Sequence, residues 1–549
     1  MAAPIELESW TEVSPLGDLL VRAFRIAPTR AALVIPDHRW TYADLYDRAL
    51  QVARGLLGLG VRRGDSVGIL AHNGIEIAEG IFGAGLMGAV AVPINARHRR
   101  SEVSYIAANA QLAAILTVGS APGDYTDFPR LLAESLLGLE ESSRPDRLTL
   151  PEHRELRAVI SLSGEGRHGL LSRSEFNAVA ATVPVEAVHE QRFRIRLQDP
   201  ALMLYTSGTT ADPKGCVLNH EAVVRGTVQR ARHRYNGDVT WGAGPLFHVG
   251  CLSPFIGSVG NAGTYVTDVY FEAGRAIRLL VEEKVSVAFP WFPALIQPVL
   301  DHPDFDASAM GSLRSILVIG PRPLIERVQA TFPGAEMLAA CGMTETAGIY
   351  ALSTPDETVA ERSQGQGKAV PGIELRIVDI VTGEDITDQS MGEILVRGHC
   401  VMSEYYRDPE KTASALDADG WLHTGDLYSR TADGRLVFHG RLKDMLKVGG
   451  ENVATIEIES FLCRHPAVKM ASVVGRPDAR LDEVPVAFVE VFDGEHLTEQ
   501  ELIDFCDGEI SRYKVPREIL FLKAEEWPMS TTKIDKRGLR ARLEESTRP

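Results

Sequence analysis

The sequence predicts an α/β protein with a large N-terminal domain and a small C-terminal domain, and three observations support this class. Strand-like residues 66–70 precede helix-like residues 75–87, and this alternation continues along most of the chain, as expected of mixed, largely parallel sheets flanked by helices. After Gly392, short strands and turns predict a small β-rich subdomain. Because 549 residues exceed what one hydrophobic core holds, we expect separate domains over residues 1–441 and 442–549.

The predicted elements follow in order along the chain. Thr41 caps an amphipathic helix. The longest apolar run, residues 80–94, is too short and too glycine-rich to span a bilayer, and predicts a buried helix leading into a buried strand. Residues 119–200 are polar and irregular, which indicates a surface excursion. Further strands are predicted over residues 89–93, 285–289, 315–319, 393–397 and 436–438, and the small α+β C-terminal unit contains a helix over 456–463 and strands over 470–474 and 486–491.

The composition excludes several classes of partner. The net charge of −17 argues against a nucleic acid or an anionic membrane surface, so a polyanionic cofactor would need a local cluster of lysines and arginines. The six cysteines lie far apart without a CxxC pair, which predicts reduced thiols rather than disulfides or a zinc site. The acidic N-terminus has no signal-peptide profile. We therefore expect a soluble, cytoplasmic protein.

One loop carries a strong chemical signal. After the apolar residues 201–204, the chain reads Tyr-Thr-Ser-Gly-Thr-Thr-Ala-Asp-Pro-Lys-Gly over 205–215. Hydroxyls, a glycine and exposed backbone N–H groups suit the wrapping of anionic oxygens, and Lys214 adds a positive charge. The spacing is not that of the common P-loop, and by itself the segment also fits an ordinary polar turn. The anion-binding residues predicted here are Thr206, Ser207, Gly208, Thr209, Thr210 and Lys214.

This loop and six further segments resemble, in order and spacing, the acyl-adenylate-forming enzymes, a superfamily of acyl-CoA synthetases, peptide-synthetase adenylation domains and luciferases. The resemblance covers nearly the whole chain. Each segment alone could arise by chance, whereas six in the same order identify the chain as a member. They are Pro-Leu-Phe-His-Val-Gly (245–250), Gly-Met-Thr-Glu-Thr (342–346), Gly-Glu-Ile-Leu-Val-Arg-Gly (392–398), Trp-Leu-His-Thr-Gly-Asp (421–426), Gly-Arg-Leu-Lys-Asp-Met-Leu-Lys-Val-Gly-Gly (440–450) and Pro-Met-Ser-Thr-Thr-Lys-Ile-Asp-Lys (528–536).

The resemblance implies that a carboxylate reacts with ATP to give an acyl adenylate and pyrophosphate, with the phosphate charge offset during the step. It implies that Glu345 and Thr206 bind Mg²⁺ and that Asp426 and Arg441 contact the ribose. It also implies that Lys533 contacts the substrate carboxylate and the α-phosphate. Taken alone, a Glu after Met-Thr is usually a solvated helix residue, and Thr-Gly-Asp is usually a turn. The resemblance also assigns Gly320, Pro321, Arg322, Cys341, Gly342, Met343 and Thr344 to the nucleotide and acyl sites.

Coenzyme A is the acceptor that the resemblance favours, with a mobile C-terminal domain that rotates about Lys443 between the two half-reactions. Gly449 and Gly450, without side chains, would approach the thiol channel closely. The alternative is that Lys443 is a surface lysine and the glycine pair a turn.

Three residues depart from the superfamily pattern. Ala211 stands where the loop normally has glycine, Cys341 where a tyrosine usually stacks on adenine, and Thr532 where glycine usually precedes the catalytic lysine. None removes a charged group, so we expect a working enzyme with altered nucleotide contacts. Cys341 is expected to be a small buried wall residue and not a nucleophile.

The acid itself is less well defined. Amino-acid-activating domains commonly carry an aspartate where this chain has His248, and the chain ends at Pro549 without a carrier domain, so we expect a free acid and coenzyme A. His248 would gate the acyl pocket or pack in it. The acyl pocket that the resemblance implies includes Phe247, Trp291 and Phe292, and such large apolar residues mixed with glycines predict a hydrophobic acid of medium or bulky size. Arg322 near this wall would either meet a polar substituent of the acid or form a surface salt bridge.

Whether that acid is fatty, aromatic or polycyclic stays open, as does a homodimer. Two other functions also stay open. One is an adenylate-forming enzyme that uses a carrier protein or another acceptor. The other is a non-catalytic nucleotide-binding or acyl-binding relative, against which the retained charged residues count: Lys214, Glu345, Asp426, Arg441 and Lys533.

Overall fold

A computed structural model describes most of the chain. The described residues are 13–119, 126–163, 167–206, 213–235, 238–320, 322–354, 356–448, 451–478, 480–507, 509–530 and 533–546.

The strands of the N-terminal part are β1 (Ala31–Ile35), β2 (His38–Thr41), β3 (Ser66–Leu70), β4 (Val90–Pro93), β5 (Leu112–Thr117), β6 (Ala158–Ser161), β7 (Pro200–Thr206), β8 (Lys214–Asn219), β9 (Val239–Gly242), β10 (Thr264–Val266), β11 (Val287–Trp291), β12 (Ser315–Val318), β13 (Glu336–Leu338), β14 (Ala340–Met343), β15 (Gly348–Leu352), β16 (Lys368–Ala369), β17 (Ile373–Val378), β18 (Gly392–Gly398), β19 (Glu404–Tyr405), β20 (Leu422–Arg430) and β21 (Leu436–Arg441). The remaining strands are β22 (Met445–Val448), β23 (Glu451–Ala454), β24 (Val468–Asp478), β25 (Asp482–Val491), β26 (Glu518–Phe521), β27 (Met529–Ser530) and β28 (Lys533–Ile534).

The helices are α1 (Leu16–Ile26), α2 (Tyr42–Gly58), α3 (Ile75–Met87), α4 (Arg100–Asn109), α5 (Phe128–Ser135), α6 (Arg173–Ala181), α7 (Val185–Arg192), α8 (His220–Tyr235), α9 (Val249–Gly260), α10 (Ala273–Glu282), α11 (Pro293–Leu300), α12 (Arg322–Thr331), α13 (Val359–Gln364), α14 (Pro409–Ala415), α15 (Thr455–Leu462), α16 (Glu499–Cys506) and α17 (Lys536–Ser546).

Two large sheets form the N-terminal part. One has the order β13-β12-β11-β9-β10-β1-β2, and the other β19-β8-β7-β4-β3-β5-β6. Neighbouring strands are parallel except for the pairs β1–β2, β7–β8 and β8–β19. Nearly all residues of helix α3 are buried. This burial explains why its sequence is apolar on every face. The predicted α/β class is confirmed.

Smaller antiparallel sheets complete the molecule. The strands β17, β18, β20 and β21 form a four-stranded meander, and β14, β15 and β16 form a three-stranded sheet. From β22 onward the chain builds a separate antiparallel sheet of order β23-β22-β25-β24, to which β26 adds in parallel beside β25. This sheet packs with α15 and α16 around a hydrophobic core of its own.

The predicted start of α2 is confirmed. Thr41 accepts a hydrogen bond from the Asp44 N–H, and the Asp44 carboxylate accepts one from the Thr41 N–H at 2.8 Å. This reciprocal pair satisfies two N–H groups at the helix start.

The predicted surface excursion over 119–200 is wrong in part. Residues 158–161 form β6, which pairs with β5 in parallel and is buried. Phe176 of α6 lies against Gly55, where a Cβ atom would come within 2.3 Å of its ring. A short apolar run such as that of residues 158–160 does not distinguish a buried strand from a buried helix segment, so the sequence pattern leaves β6 unassigned. Within the described ranges, no helix combines the length and the apolar character needed to cross a membrane.

Candidate active site

A cavity of about 850 Å³ lies where both large sheets, the meander and the hairpin formed by the antiparallel strands β27 and β28 approach one another. The carboxyl ends of β7, β9, β11 and β12 meet at this cavity, which is the usual position for ligands in open α/β sheets. Its lining combines hydroxyl and charged groups on one side with apolar residues on the other.

The hydroxyl-rich loop joins two paired strands beside this cavity. Thr206 ends β7, Lys214 begins β8, and the two residues pair across the antiparallel ladder. Both line the cavity. The Lys214 ammonium lies 4.7 Å from the centre of the Tyr405 ring, a distance typical of a cation–π contact. The other predicted anion-binding residues, Ser207, Gly208, Thr209 and Thr210, and the variant Ala211 lie outside the described residues.

Glu345 is held by a hydrogen bond that the sequence does not reveal. It lies in a short 3₁₀ turn after β14, is buried, and accepts a hydrogen bond from the Tyr405 hydroxyl at 2.8 Å. The strand β19 positions Tyr405 by pairing it with Cys216 of β8. Burial, together with the Glu345 carboxylate, raises the pKa of Tyr405, so the phenol stays protonated and continues to donate.

Asp426 and Arg441 are cross-strand partners in the meander. They pair in register between β20 and β21, and the Arg441 Nε lies 3.2 Å from the Asp426 Oδ1. Arg441, Thr424 and Gly425 line the cavity, and Asp426 is buried beside it. An acceptor-only carboxylate and a donor-only guanidinium therefore lie side by side, which suits a sugar with neighbouring hydroxyls.

Cys341 is a buried wall residue of the cavity. Burial raises the pKa of its thiol to about 12, and Tyr350 and Tyr428 lie beside it. The thiol is therefore neutral near pH 7 and is a poor nucleophile. The neighbouring residues Gly342, Met343 and Thr344 also line the cavity.

The C-terminal domain contributes to the same cavity. Met529 of β27 lines it, and its neighbour Ser530 pairs with Lys533 of β28. The backbone of Lys533 is thus in the hairpin at the cavity, although its side chain lies outside what the structure describes, as do Gly449, Gly450 and Thr532. Lys443 lines the cavity, and burial, followed by the charge of Arg441, lowers its pKa.

The apolar side of the cavity begins at His248. This residue caps the N-terminus of α9, where its Nδ1 accepts a hydrogen bond from the Gly250 N–H at 3.1 Å. Trp291 and Phe292, which follow one another at the end of β11, line the cavity with His248, together with Leu295 and Ile319.

Three residues predicted at the nucleotide and acyl sites, Phe247, Gly320 and Arg322, are absent from the described lining of the cavity, and Phe247 packs partly buried against the hydrophobic core. Arg322 is exposed at the start of α12, where its Nε donates to Glu326 at 2.7 Å. That pair has the i,i+4 spacing typical of a salt bridge on a helix surface. Pro321 lies outside the described residues.

Sequence reasoning missed a polar group beside Thr206. The segment that follows β4 contributes four residues to the lining of the cavity: Asn95, Arg97, His98 and Glu102. The His98 Nδ1 lies 2.9 Å from the Glu102 carboxylate. Their position directly after a buried parallel strand was the available signal, since such strand ends carry functional residues.

The described residues contain no group of three or more His, Cys, Asp or Glu side chains arranged to hold a metal ion. A divalent cation here would depend on Glu345 and on the oxygens of a bound phosphate. That arrangement fits Mg²⁺, which is commonly bound through one or two carboxylates and substrate phosphates.

Comparison with known proteins gives matches along nearly the whole chain. Residues 20–406 match a family model described as AMP-binding enzyme, and residues 457–533 match one described as AMP-binding enzyme C-terminal domain. The putative acyl-CoA synthetase YngI of Bacillus subtilis (strain 168) is 32% identical over 536 residues, covering 96% of both chains.

Two further similarities concern named acids. A 3-[(3aS,4S,7aS)-7a-methyl-1,5-dioxo-octahydro-1H-inden-4-yl]propanoyl:CoA ligase of Mycobacterium tuberculosis (strain ATCC 25618 / H37Rv) is 32% identical, over 92% of this chain and 94% of that protein. The solved structure of the anthranilate CoA ligase AuaEII in complex with anthranoyl-AMP is 26% identical, with a TM-score of 0.82 over 99% of this chain and 100% of that chain.

Proposed function

The chain belongs to the AMP-binding enzyme family, and we propose that this acid–CoA ligase activates a hydrophobic carboxylic acid as an acyl adenylate and then transfers the acyl group to coenzyme A. One observation carries the proposal. A single cavity of about 850 Å³ joins a cationic and hydroxyl-bearing side, with Lys214 and Arg441, to an apolar side, with Phe292 and Ile319. An anionic nucleotide and a hydrophobic acid would therefore meet in one space.

In the first half-reaction a carboxylate oxygen of the acid attacks the α-phosphorus of ATP, the bond to the β-phosphate breaks, and pyrophosphate leaves. Lys214 and the loop after Thr206 would bind the β- and γ-phosphates. Glu345 would hold a Mg²⁺ ion, whose charge offsets that of the phosphates. Asp426 and Arg441 would bind the ribose hydroxyls.

Lys533 would bind the carboxylate and the α-phosphate during this step. The support for this role is its backbone position in the hairpin whose Met529 lines the cavity. In the second half-reaction the thiol sulfur of coenzyme A attacks the acyl carbon, AMP leaves and the thiol proton is lost. The thiol needs its own path to the acyl carbon, so we propose that the C-terminal domain rotates about Lys443 between the steps, with Gly449 and Gly450 along that path.

The acid is proposed to be of medium or bulky size. Support comes from the apolar wall formed by Trp291, Phe292 and Leu295, and from the name of the Mycobacterium tuberculosis relative, which describes a bicyclic propanoyl substrate. We also propose a reducing, cytoplasmic setting, supported by six free cysteines of which five are buried. A homodimer stays a prediction.

The test is pyrophosphate release from a panel of C6–C18 fatty, benzoic, cinnamic and steroid-side-chain acids, with and without coenzyme A. Multiple turnovers that require coenzyme A, for one class of acid, are the expected result. A single turnover unaffected by coenzyme A would show that a carrier protein or another acceptor takes the acyl group. Nucleotide binding without release from any acid would leave the non-catalytic relative as the better description.

A further inference from the structure

A second, small cavity adjoins the apolar end of the large one. It has a volume of about 30 Å³ and shares part of its wall with the large cavity, including Gly250, Trp291 and Ile349. We call it the inner chamber. A cavity of this size accommodates about one small group, such as a water molecule or a carbonyl.

The inner chamber has a mainly apolar wall in which several hydroxyl-bearing residues are interspersed. Its wall contains the hydroxyl groups of Thr227, Thr240, Ser253 and Ser258, all buried. Thr227 donates to the Val223 carbonyl at 2.6 Å and lies 3.2 Å from the Ser253 hydroxyl. The Ser258 hydroxyl, in contrast, is buried and finds no hydrogen-bond partner among the residues described.

Trp291 separates the two cavities, and its backbone is unusual. Its φ is +62°, the Phe292 N–H donates to the Pro290 carbonyl at 2.8 Å, and the Ile319 N–H donates to the Trp291 carbonyl at 2.6 Å. A large side chain rarely adopts this three-residue turn, and such outliers persist where neighbouring structure imposes them, often at ligand sites. The turn therefore fixes the direction in which the Trp291 side chain leaves the backbone, and that side chain lines both cavities.

The indole N–H of Trp291 is also without a suitable acceptor. The side chain is 91% buried, and within the described part of the chain its N–H has no nitrogen or oxygen acceptor. It faces the sulfur of Cys251, which is at best a weak acceptor. Two residues in the wall of the inner chamber thus carry buried donors that are poorly satisfied. The Ser258 hydroxyl has no partner among the described residues, and the Trp291 N–H has only the weak sulfur acceptor. Leaving buried donors unpaired is unfavourable.

We propose that the inner chamber binds a hydrogen-bond-accepting oxygen, a keto group in particular, at the far end of the hydrocarbon body of the acid. The Trp291 indole N–H and the Ser258 hydroxyl donate to it. Gly250 leaves the approach open, because a Cβ there would lie 3.2 Å from the His248 Nδ1 and 3.5 Å from the Trp291 Cε2. This inference rests on the proposed function, since it concerns the acid activated at the same site.

The test compares straight-chain C6–C12 acids with partners that differ only by a keto group next to the terminal methyl. For at least one pair we expect kcat/KM for the oxo acid to exceed that of the plain acid by about tenfold or more. Trp291→Phe, which keeps a ring and removes the N–H, should reduce this ratio by about tenfold to a hundredfold, and Ser258→Ala should reduce it too. Trp40→Phe, which removes an indole from strand β2, should retain it. Equal kcat/KM values for every pair, or an unchanged ratio in Trp291→Phe, would overturn the proposal.

A second measurement does not depend on turnover. In protein labelled with ¹⁵N at tryptophan, the indole resonance absent from Trp291→Phe is that of Trp291. It should move downfield when the oxo acid binds and stay in place with the plain acid. An unmoved resonance with the oxo acid bound would mean that only water occupies the chamber, and would overturn the proposal. Absence of pyrophosphate release from every acid would instead count against the proposed function, while this resonance would still decide whether the chamber binds the keto group.

Discussion

Tyr405→Phe should weaken the use of Mg²⁺ without removing any charged group from the site. The Tyr405 hydroxyl donates to the Glu345 carboxylate at 2.8 Å, and both side chains are more than 90% buried. A hydrogen bond to a charged group contributes about 1.5–3 kcal/mol. Since 1.4 kcal/mol corresponds to a factor of ten, losing it should lower the rate of adenylation at limiting Mg²⁺ by roughly tenfold to a hundredfold.

The phenylalanine keeps the aromatic ring, so the contact with Lys214 at 4.7 Å should persist. Tyr405→Leu, which also removes the ring, should cost a further 0.5–2 kcal/mol or so through the lost cation–π contact. Comparing the two variants therefore separates the orientation of Glu345 from the positioning of Lys214.

The assay is the initial rate of pyrophosphate release as a function of Mg²⁺ concentration, at saturating ATP and acid. The half-saturating Mg²⁺ concentration should rise about tenfold or more in Tyr405→Phe. Tyr406→Phe is the matched control, because the Tyr406 hydroxyl contacts Gln111 at 3.1 Å on an exposed surface. If Tyr405→Phe unfolds at the same urea concentration as the parent protein and its Mg²⁺ dependence is unchanged within twofold, Tyr405 does not orient Glu345.

Three other perturbations have definite expected outcomes. Lys443→Pro should spare acyl-adenylate formation and impair thioester formation, measured as separate half-reactions; equal loss of both would contradict a hinge at this residue. Gly342→Ala should lower the free energy of unfolding in urea by about 1–3 kcal/mol or more, because the new Cβ would lie 2.3 Å from the Gly348 carbonyl oxygen; unchanged stability would refute this packing. Burial lowers the pKa of His220, which accepts from the Leu16 N–H at 3.0 Å, to about 4. Its neutral form therefore contributes stability above pH 6.5, and this stability is lost as the pH falls towards 4. The free energy of unfolding, measured by urea titration at several pH values, should show this loss. In His220→Asn the pH-dependent part should be smaller by up to about 3 kcal/mol.

Local patterns in the sequence were sufficient to predict several structural elements. The capping residue Thr41 and the apolar run of α3 predict their helices because both depend on residues a few positions apart. The hydroxyl-rich loop after residues 201–204 is likewise visible as a local pattern, although the pairing of Thr206 with Lys214 across β7 and β8 was not predicted. In each case the interacting residues are neighbours along the chain, so a pattern in the sequence carries the information.

Other parts of the site depend on contacts between distant residues. Tyr405 reaches Glu345 only because β19 joins a sheet whose next strand, β8, lies almost two hundred residues earlier. The positive φ of Trp291 comes from its pairing with β12 and from the turn at Pro290. No periodicity or local motif records such contacts, which explains why neither feature could be predicted.

The position of β19 also determines how this protein could be recombined with its relatives. The meander strand β18 ends at Gly398, which looks like a natural boundary for exchanging C-terminal segments. An exchange there would nevertheless place another protein's residue at position 405. That residue, the partner of Glu345, would have evolved in a strand that pairs with another protein's sheet. A junction after residue 406, where the first family model also ends, keeps the residues around Lys214 together, so hybrid ligases are best joined there.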